Sequence, residues 1–274
     1  MSVRGAALAL AVALAPFCQA ARAASLPLWE LGGGLAALRL PHYRGSDQSQ
    51  TWVLPVPYAV YRGRILRADR DGARAMMFES DRFDLDISLS ATAPTRSQDN
   101  RAREGMADLA ATLEIGPNMN LSLVRGQHWE LQWRSPLRAV LAVQRDPQVI
   151  GWTATPLFNL DIEHGPWRLG LQAGPVWGSQ RLHAYYYDVD VAQAVPGRPA
   201  YQSSGGFGGT RGLLSLSRKS RDQWLGMFLR LDSVAGAVFN DSPLVRQQLS
   251  VACGIAWSWI GWRSDRLVEV DDSL

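Results

Sequence analysis

The chain has 274 residues, 47% hydrophobic and 19% charged, with a formal net charge of +3. That length suits one domain, and a mean hydropathy of −0.11 excludes a bundle of membrane-spanning helices. Loss of Arg4 and Arg22 with an N-terminal leader would lower +3 by two, to about +1, so the charge argues against a nucleic-acid partner.

Residues 1–23 read as a secretory signal: Arg4 as the positive end, an apolar core over 6–15, and a small-residue site at Ala21-Arg22-Ala23. Cleavage is expected after Ala23, with Ala20 and Ala24 as neighbouring alternatives. The core is shorter than the roughly 20 apolar residues of a spanning helix. Ala15-Pro16-Phe17 does not match the residues that precede a lipidated cysteine, so Cys18 is not read as an anchor. Cys253 then stands alone, without an internal disulfide partner, and reads as a small hydrophobe on an apolar face.

The rest alternates apolar and polar residues. The first expected strand covers residues 28–40 and the second 51–61, with Trp52, Leu54, Val56, Tyr58 and Val60 on one face. Residues 64–79 are charged and irregular, either one strand or a hairpin around Asp71-Gly72. Residues 82–91 alternate cleanly, with Phe83, Leu85, Ile87 and Leu89 against Arg82, Asp84, Asp86 and Ser88. After a polar linker over 92–105, strands are expected at 107–115 and 118–125, separated by a turn at Gly116-Pro117. The strand over 129–143 is the clearest: Trp129, Leu131, Trp133, Leu137 and Leu141 share one face, and Glu130, Gln132, Arg134 and Arg138 the other. Strands over 149–162, 167–178, 212–217, 223–232 and 248–259 complete the set.

Many half-oily strands behind an export signal predict an all-β fold, a transmembrane antiparallel β-barrel of about 12 strands, or 14 if the charged stretch is a hairpin. A soluble secreted β-sandwich or barrel would share this alternation. The expected boundaries are a signal peptide over 1–23, the barrel over 24–262 and a periplasmic tail over 263–274. With both ends in the periplasm, segments 41–50, 179–209 and 234–242 fall on the outer side. Trp29, Trp52, Trp129, Trp167, Trp224 and Trp259 lie near strand ends, where indoles anchor at membrane interfaces. Pro55, Pro57, Pro136, Pro156 and Pro175 interrupt strands of a barrel that should have no free edge, so bulges or earlier strand ends are expected there.

For function, the inward faces offer Arg134, Arg138, Arg230 and Asp232 as candidate lumen residues, lining a channel or cross-linking into a plug. Outer-loop candidates for contact are Tyr43, Asp47, Tyr187 and Tyr201, although the tyrosine-rich loop could equally pack on the barrel mouth. The four histidines lie in loops or turns without metal-ligand spacing, and no serine stands in a nucleophile elbow. No catalytic, cofactor or metal site is expected.

Several segments together resemble the MipA/OmpV family of outer-membrane proteins. They are Leu31-Gly32-Gly33-Gly34, Pro41-His42-Tyr43-Arg44-Gly45-Ser46-Asp47, Leu54-Pro55-Val56-Pro57-Tyr58, Ile115-Gly116-Pro117, Pro136-Leu137-Arg138-Ala139-Val140, Gly174-Pro175, Tyr187-Asp188-Val189, Arg198-Pro199-Ala200-Tyr201 and the run from Gly236 through Asn240-Asp241-Ser242-Pro243 to Val245. The resemblance spans nearly the whole mature chain. It implies an outer-membrane barrel without a known catalytic site, and a scaffold that holds a lytic transglycosylase and a murein synthase together at the inner side of the outer membrane. Other members resemble porins or adhesins. The chain departs from the family at its end, where residues 261–274 follow the aromatic closing signal of Trp257 and Trp259. The expected protein is a monomer of the Gram-negative outer membrane, in contact with its lipid. It is expected to dock periplasmic murein enzymes through residues 62–63, 145–148, 218–222 and the tail, with a narrow pore or a surface adhesin as the alternative.

Overall fold

The computed structural model describes residues 24–69 and 72–270. The expected signal segment 1–23 lies outside them. Among the described residues the chain is built of antiparallel strands: β1 (Ala24–Pro27), β2 (Trp29–Pro41), β3 (Ser49–Arg62), β4 (Leu66–Asp69), β5 (Gly72–Glu79), β6 (Phe83–Thr92), β7 (Ala111–Arg125), β8 (Trp129–Val143), β9 (Gln148–Ala154), β10 (Leu157–His164), β11 (Trp167–Gly178), β12 (Gly206–Lys219), β13 (Gln223–Ser233), β14 (Leu249–Arg263) and β15 (Leu267–Val270). Among the described residues one α-helix, α1 (Gln180–Tyr187), lies in the longest loop.

β2 to β14 form one sheet that closes on itself. β8 pairs with β9 through Leu137↔Ala154 and with β10 through Leu157↔Arg134, so β9 and β10 are one long strand broken at Pro156. Thr155 N donates to Pro136 O across that break at 3.1 Å. Counted so, the barrel has 12 strands. An even number returns both ends to one rim, where β1 and β15 pair as a separate two-stranded sheet. That rim carries the two- and three-residue turns and is therefore periplasmic. The long loops 42–48, 93–110, 179–205 and 234–248 gather at the other rim.

The expected count of twelve holds through two compensating differences. Leu66–Asp69 and Gly72–Glu79 pair as the β4–β5 hairpin. Residues 111–125 are one strand, in which Gly116-Pro117 is no turn. Gly116 is needed there because a Cβ would sit 2.1 Å from Leu137 O on β8. The turn at 144–147 follows an upward strand and lies at the outer rim, so it cannot join a periplasmic surface.

Outward side chains make the oily belt. Leu35, Val53, Leu137, Phe158, Val251 and Ile255 are exposed on the barrel exterior. At a few tens of cal/mol per Å² such a surface is stable only against lipid. Trp129, Trp167, Trp257 and Trp259 ring the periplasmic rim on the outside, with the Arg218 guanidinium 5.5 Å above the Trp167 ring. Trp52 and Trp224 are not part of that girdle, because both point inward. Trp224 packs near Tyr58 at 6.2 Å between ring centres. The predicted bulge at Pro175 is present, with the β11–β12 register shifting between Pro175 and Trp177.

Candidate functional site

Strand alternation carries the charged faces to the interior, and two clusters dominate. At the outer end, Arg230 and Asp232 share the inner face of β13, and Arg211 is the cross-strand partner of Asp232. Asp232 is fully buried and accepts hydrogen bonds from Arg211 Nε at 2.7 Å and Arg230 Nε at 2.8 Å, with Arg44 Nε as an ion-pair neighbour at 3.3 Å. Three guanidinium groups on one carboxylate leave a net positive cluster. Arg211 and Arg230 keep 34% and 31% of their side-chain surface accessible, so both face open lumen rather than packed core. Arg138 extends this wall, donating through Nε to Ser88 Oγ at 3.0 Å with Glu114 at 3.8 Å. Lower down, Arg134 donates to Gln132 Oε1 at 2.9 Å and lies 3.5 Å from Asp161. Asn118 and Asn120 both donate to Asp86 Oδ2.

The periplasmic cluster is centred on Glu30, buried between Arg62 (2.8 Å) and Lys219 (2.7 Å), with the Tyr58 hydroxyl at 3.4 Å. Glu30, Tyr58 and Lys219 come from β2, β3 and β12. Only the inner face can bring these strands together, so the even-numbered residues of β3 point inward. Both clusters obey the rule that buried charge must be paired. Glu30 and Arg211 were not singled out by sequence reasoning, Arg62 and Lys219 were read only as parts of periplasmic turns, and Arg44 only as part of a family segment. For the four strand residues the polar phase of each strand was the available signal, but pairing across non-adjacent strands is invisible in one dimension.

Over the outer cluster the long loops build a cap. The Tyr187 ring stacks on Phe239 at 3.7 Å and 8°, and the edge of Tyr43 meets Tyr187 at 6.2 Å. The Tyr187 hydroxyl donates to Arg44 O (2.9 Å), the Tyr43 hydroxyl to Leu244 O (2.8 Å) and Ser242 Oγ to Tyr187 O (2.7 Å). Arg103 donates to Tyr186 O, and Arg198 donates to Ala102 O and Glu104 O, tying loop 93–110 to loop 179–205. Burial pushes the Tyr43 and Tyr186 phenols up to about 12. His183 is buried beside Phe239, shares a 2.8 Å hydrogen bond with Ser204 O and is held below the usual imidazole range by burial.

The four expected lumen residues therefore fall into different groups. Arg230 and Asp232 are in direct contact, Arg138 lies on the same charged wall and Arg134 is bound lower down. The four expected loop contacts also divide. Tyr43 and Tyr187 are interior members of the cap, 5% and 4% exposed, and present no surface to a ligand. Asp47 is exposed and pairs with Arg101 at 3.3 Å, and the Tyr201 hydroxyl lies 3.4 Å from Val238 O. The tail expected over 263–274 pairs through Leu267–Val270 with Ala24–Pro27, and Leu28 N donates to Arg266 O. Among the described residues no group of three or more His, Cys, Asp or Glu side chains is placed to hold a metal.

The profile of the family described as MltA-interacting protein MipA matches residues 33–259. The chain belongs to the MipA family. Closed barrel and family together make it an outer-membrane β-barrel. No curated protein matches it. Among solved structures it is similar to an outer-membrane channel from Pseudomonas putida F1, at 10% identity and TM-score 0.44 over 88% of this chain and 98% of that one. It is similar to the NanC porin at 10% identity and TM-score 0.39, over 83% and 100%. Outer membrane phospholipase A from Escherichia coli aligns at 8% identity and TM-score 0.34, over 83% and 92%. None of these is near enough to carry an activity across to this MipA-family barrel.

Proposed function

We propose that this barrel is a non-enzymatic, monomeric scaffold that docks murein synthesis and remodelling proteins, a lytic transglycosylase among them, at the periplasmic face of the outer membrane. The observation that carries this reading is the difference between the two ends. The outer mouth is occupied by an aromatic cap whose Tyr43, Tyr187 and Phe239 are interior. The periplasmic rim presents backbone-paired termini and the short turns 63–65 and 220–222. Arg221 at this rim and Arg266 in the connection to β15 are exposed, which suits an acidic partner surface. The family description, MltA-interacting protein, supports a protein partner, and the resemblance in the sequence implies that this partner is a lytic transglycosylase. The test is binding of the purified barrel, in detergent or nanodiscs, to a lytic transglycosylase of its own cell. Micromolar or tighter binding that weakens when Arg221 and Arg266 are changed to Glu is expected. No binding by the intact barrel would overturn the reading.

The lumen-facing Arg211 and Arg230 favour a second reading, a narrow anion-preferring pore. It predicts stepwise conductance whose selectivity changes in Arg230→Gln.

A further inference from the structure

The barrel wall is closed by twelve strands, but not to equal height. β3 runs from Ser49 to Arg62, while its neighbour β4 pairs with it only at Tyr61↔Ala68 and Arg62↔Arg67. On the other flank, β5 accompanies β6 only as far as Arg74↔Ser88, and Leu89 to Thr92 of β6 continue without it. From Ser49 to Val60, β3 therefore has β2 on one side and, among the described residues, no strand on the other. At about 3.3 Å per residue, these twelve positions make an edge of roughly 40 Å. Above it, Gln48 Nε2 donates to Asp99 O (3.2 Å) and Arg101 N to Gln48 Oε1 (2.7 Å), bridging the loops at the rim. Loop 93–110 is itself committed to the cap, through Leu109, Ala102 and Met106.

Two further features single out this edge. Pro55 and Pro57 lie opposite Leu35 and Gly33 of β2. A proline nitrogen has no proton for a ladder, so these two face away from β2, toward the free side. The edge is thereby blunted against strand addition, and the carbonyls left on it need a hydrated surrounding. The inner face beside the edge is also apolar. Trp52, Leu54 and Val56 point inward, and Leu54 stays 39% exposed there. One hydrogen-bonding row continues the apolar surface from Trp52 through Leu38 and Gly254 to Phe228. Two residues beyond Phe228, on the same face, stands Arg230, the lumen-exposed cation of the outer cluster.

We propose that the gap between β3 and β6 is a lateral opening through which the acyl chain of an anionic amphiphile enters from the membrane. The chain lies on the Trp52–Leu38–Phe228 strip and the head turns toward Arg230 and Arg211. The site takes a fatty carboxylate or a phospholipid chain, since both present the same acyl tail and anionic head. It uses the barrel alone and does not rest on the scaffold reading.

The test places a photoreactive benzophenone side chain at one position at a time in the full mature barrel, refolded into vesicles of palmitoyl-oleoyl phosphatidylglycerol with or without added palmitate. Position 54 is the proposed site, the outward position 35 reports contact with bulk lipid, and position 172, inward on β11, reports lumen without the strip. After irradiation, intact mass reads the adduct. Expected is lipid adduct at 54 in roughly tenfold excess over 172, the preference that burying two methylenes confers. Conversion of that adduct to a palmitate adduct when palmitate is added identifies a free fatty acid as the better occupant, and persistence of the phospholipid adduct identifies the membrane lipid. In a Val56→Arg background that keeps its heat-modifiable gel mobility, the adduct at 54 should fall to the level at 172. Adduct at 35 with no excess at 54 over 172 overturns the proposal.

Discussion

The two ends of this barrel are held by different physics. The outer end is a cap of four loops whose stability comes from buried aromatic contact and from side chains donating to loop carbonyls, as Tyr43, Tyr187 and Ser242 do. The periplasmic end is held by backbone pairing and one ion cluster, with β1 against β15 above the Glu30–Arg62–Lys219 group. Side-chain packing seals a surface, whereas backbone pairing orders a rim without covering it. The proposed periplasmic docking rests on that difference.

Mutation can disrupt either end separately. The largest loss should follow Asp232→Ala, which strands Arg44, Arg211 and Arg230 beneath the cap. Removing one side of a buried pair costs about 3–5 kcal/mol, read as a lower urea midpoint of the refolded barrel. Phe239→Ala, at a 1% exposed site stacked on Tyr187, should cost about 3–4 kcal/mol and open loop 179–205 to protease without slowing barrel refolding. At the other end Glu30→Ala should cost less, about 1–2 kcal/mol, because it leaves two cations without their carboxylate instead of three and the more exposed of them, Lys219, is reached by water.

A smaller effect sharpens the contrast through pH. The folded pKa of His183 lies below its unfolded value of 6.5, so below that pH the unfolded chain binds more protons and cap stability is lost as pH falls toward the lowered pKa. Tyr43, raised to about 12, works in the opposite direction: above pH 10 the unfolded chain loses protons that the cap retains, and stability falls as pH rises. Protease protection of loop 179–205 should therefore weaken at both extremes, and His183→Phe should weaken the acid limb alone, the remainder coming from His42, whose imidazole burial also holds below its usual range. The smallest change expected is Pro57→Val on the free edge of β3, within about 0.5 kcal/mol. Leu229→Pro on β13, paired on both sides, should by contrast cost about 1–3 kcal/mol or more by orphaning a ladder carbonyl.

How much of this could be read from the sequence depended on the strand. On β8 the alternation sorted Glu130 to Arg138 from Trp129 to Leu141 correctly, because one face carries charge and only the interior can pair it. On β3 alternation found the two faces, but both are apolar. Placing Trp52, Leu54 and Val56 inside required the contact of Tyr58 with Glu30. Pro55 and Pro57 looked incompatible with a closed barrel because the short β4–β5 hairpin, and hence the free edge, is a matter of register. Gly116-Pro117 mimicked a turn because close strand approach and turning use the same residue types. The cap was legible only as a tyrosine-rich loop able either to bind or to pack. Burial of Tyr187 against Phe239 depends on residues more than fifty positions apart.

The most direct test of the central claim, a barrel sealed at its outer end and used from its periplasmic face, is planar-bilayer conductance of the refolded protein beside a variant in which residues 180–204 are replaced by a short Gly-Ser turn. The parent should stay silent, and stepwise openings should appear once that loop is gone. Reproducible openings of the intact barrel, unchanged by the deletion, would contradict it.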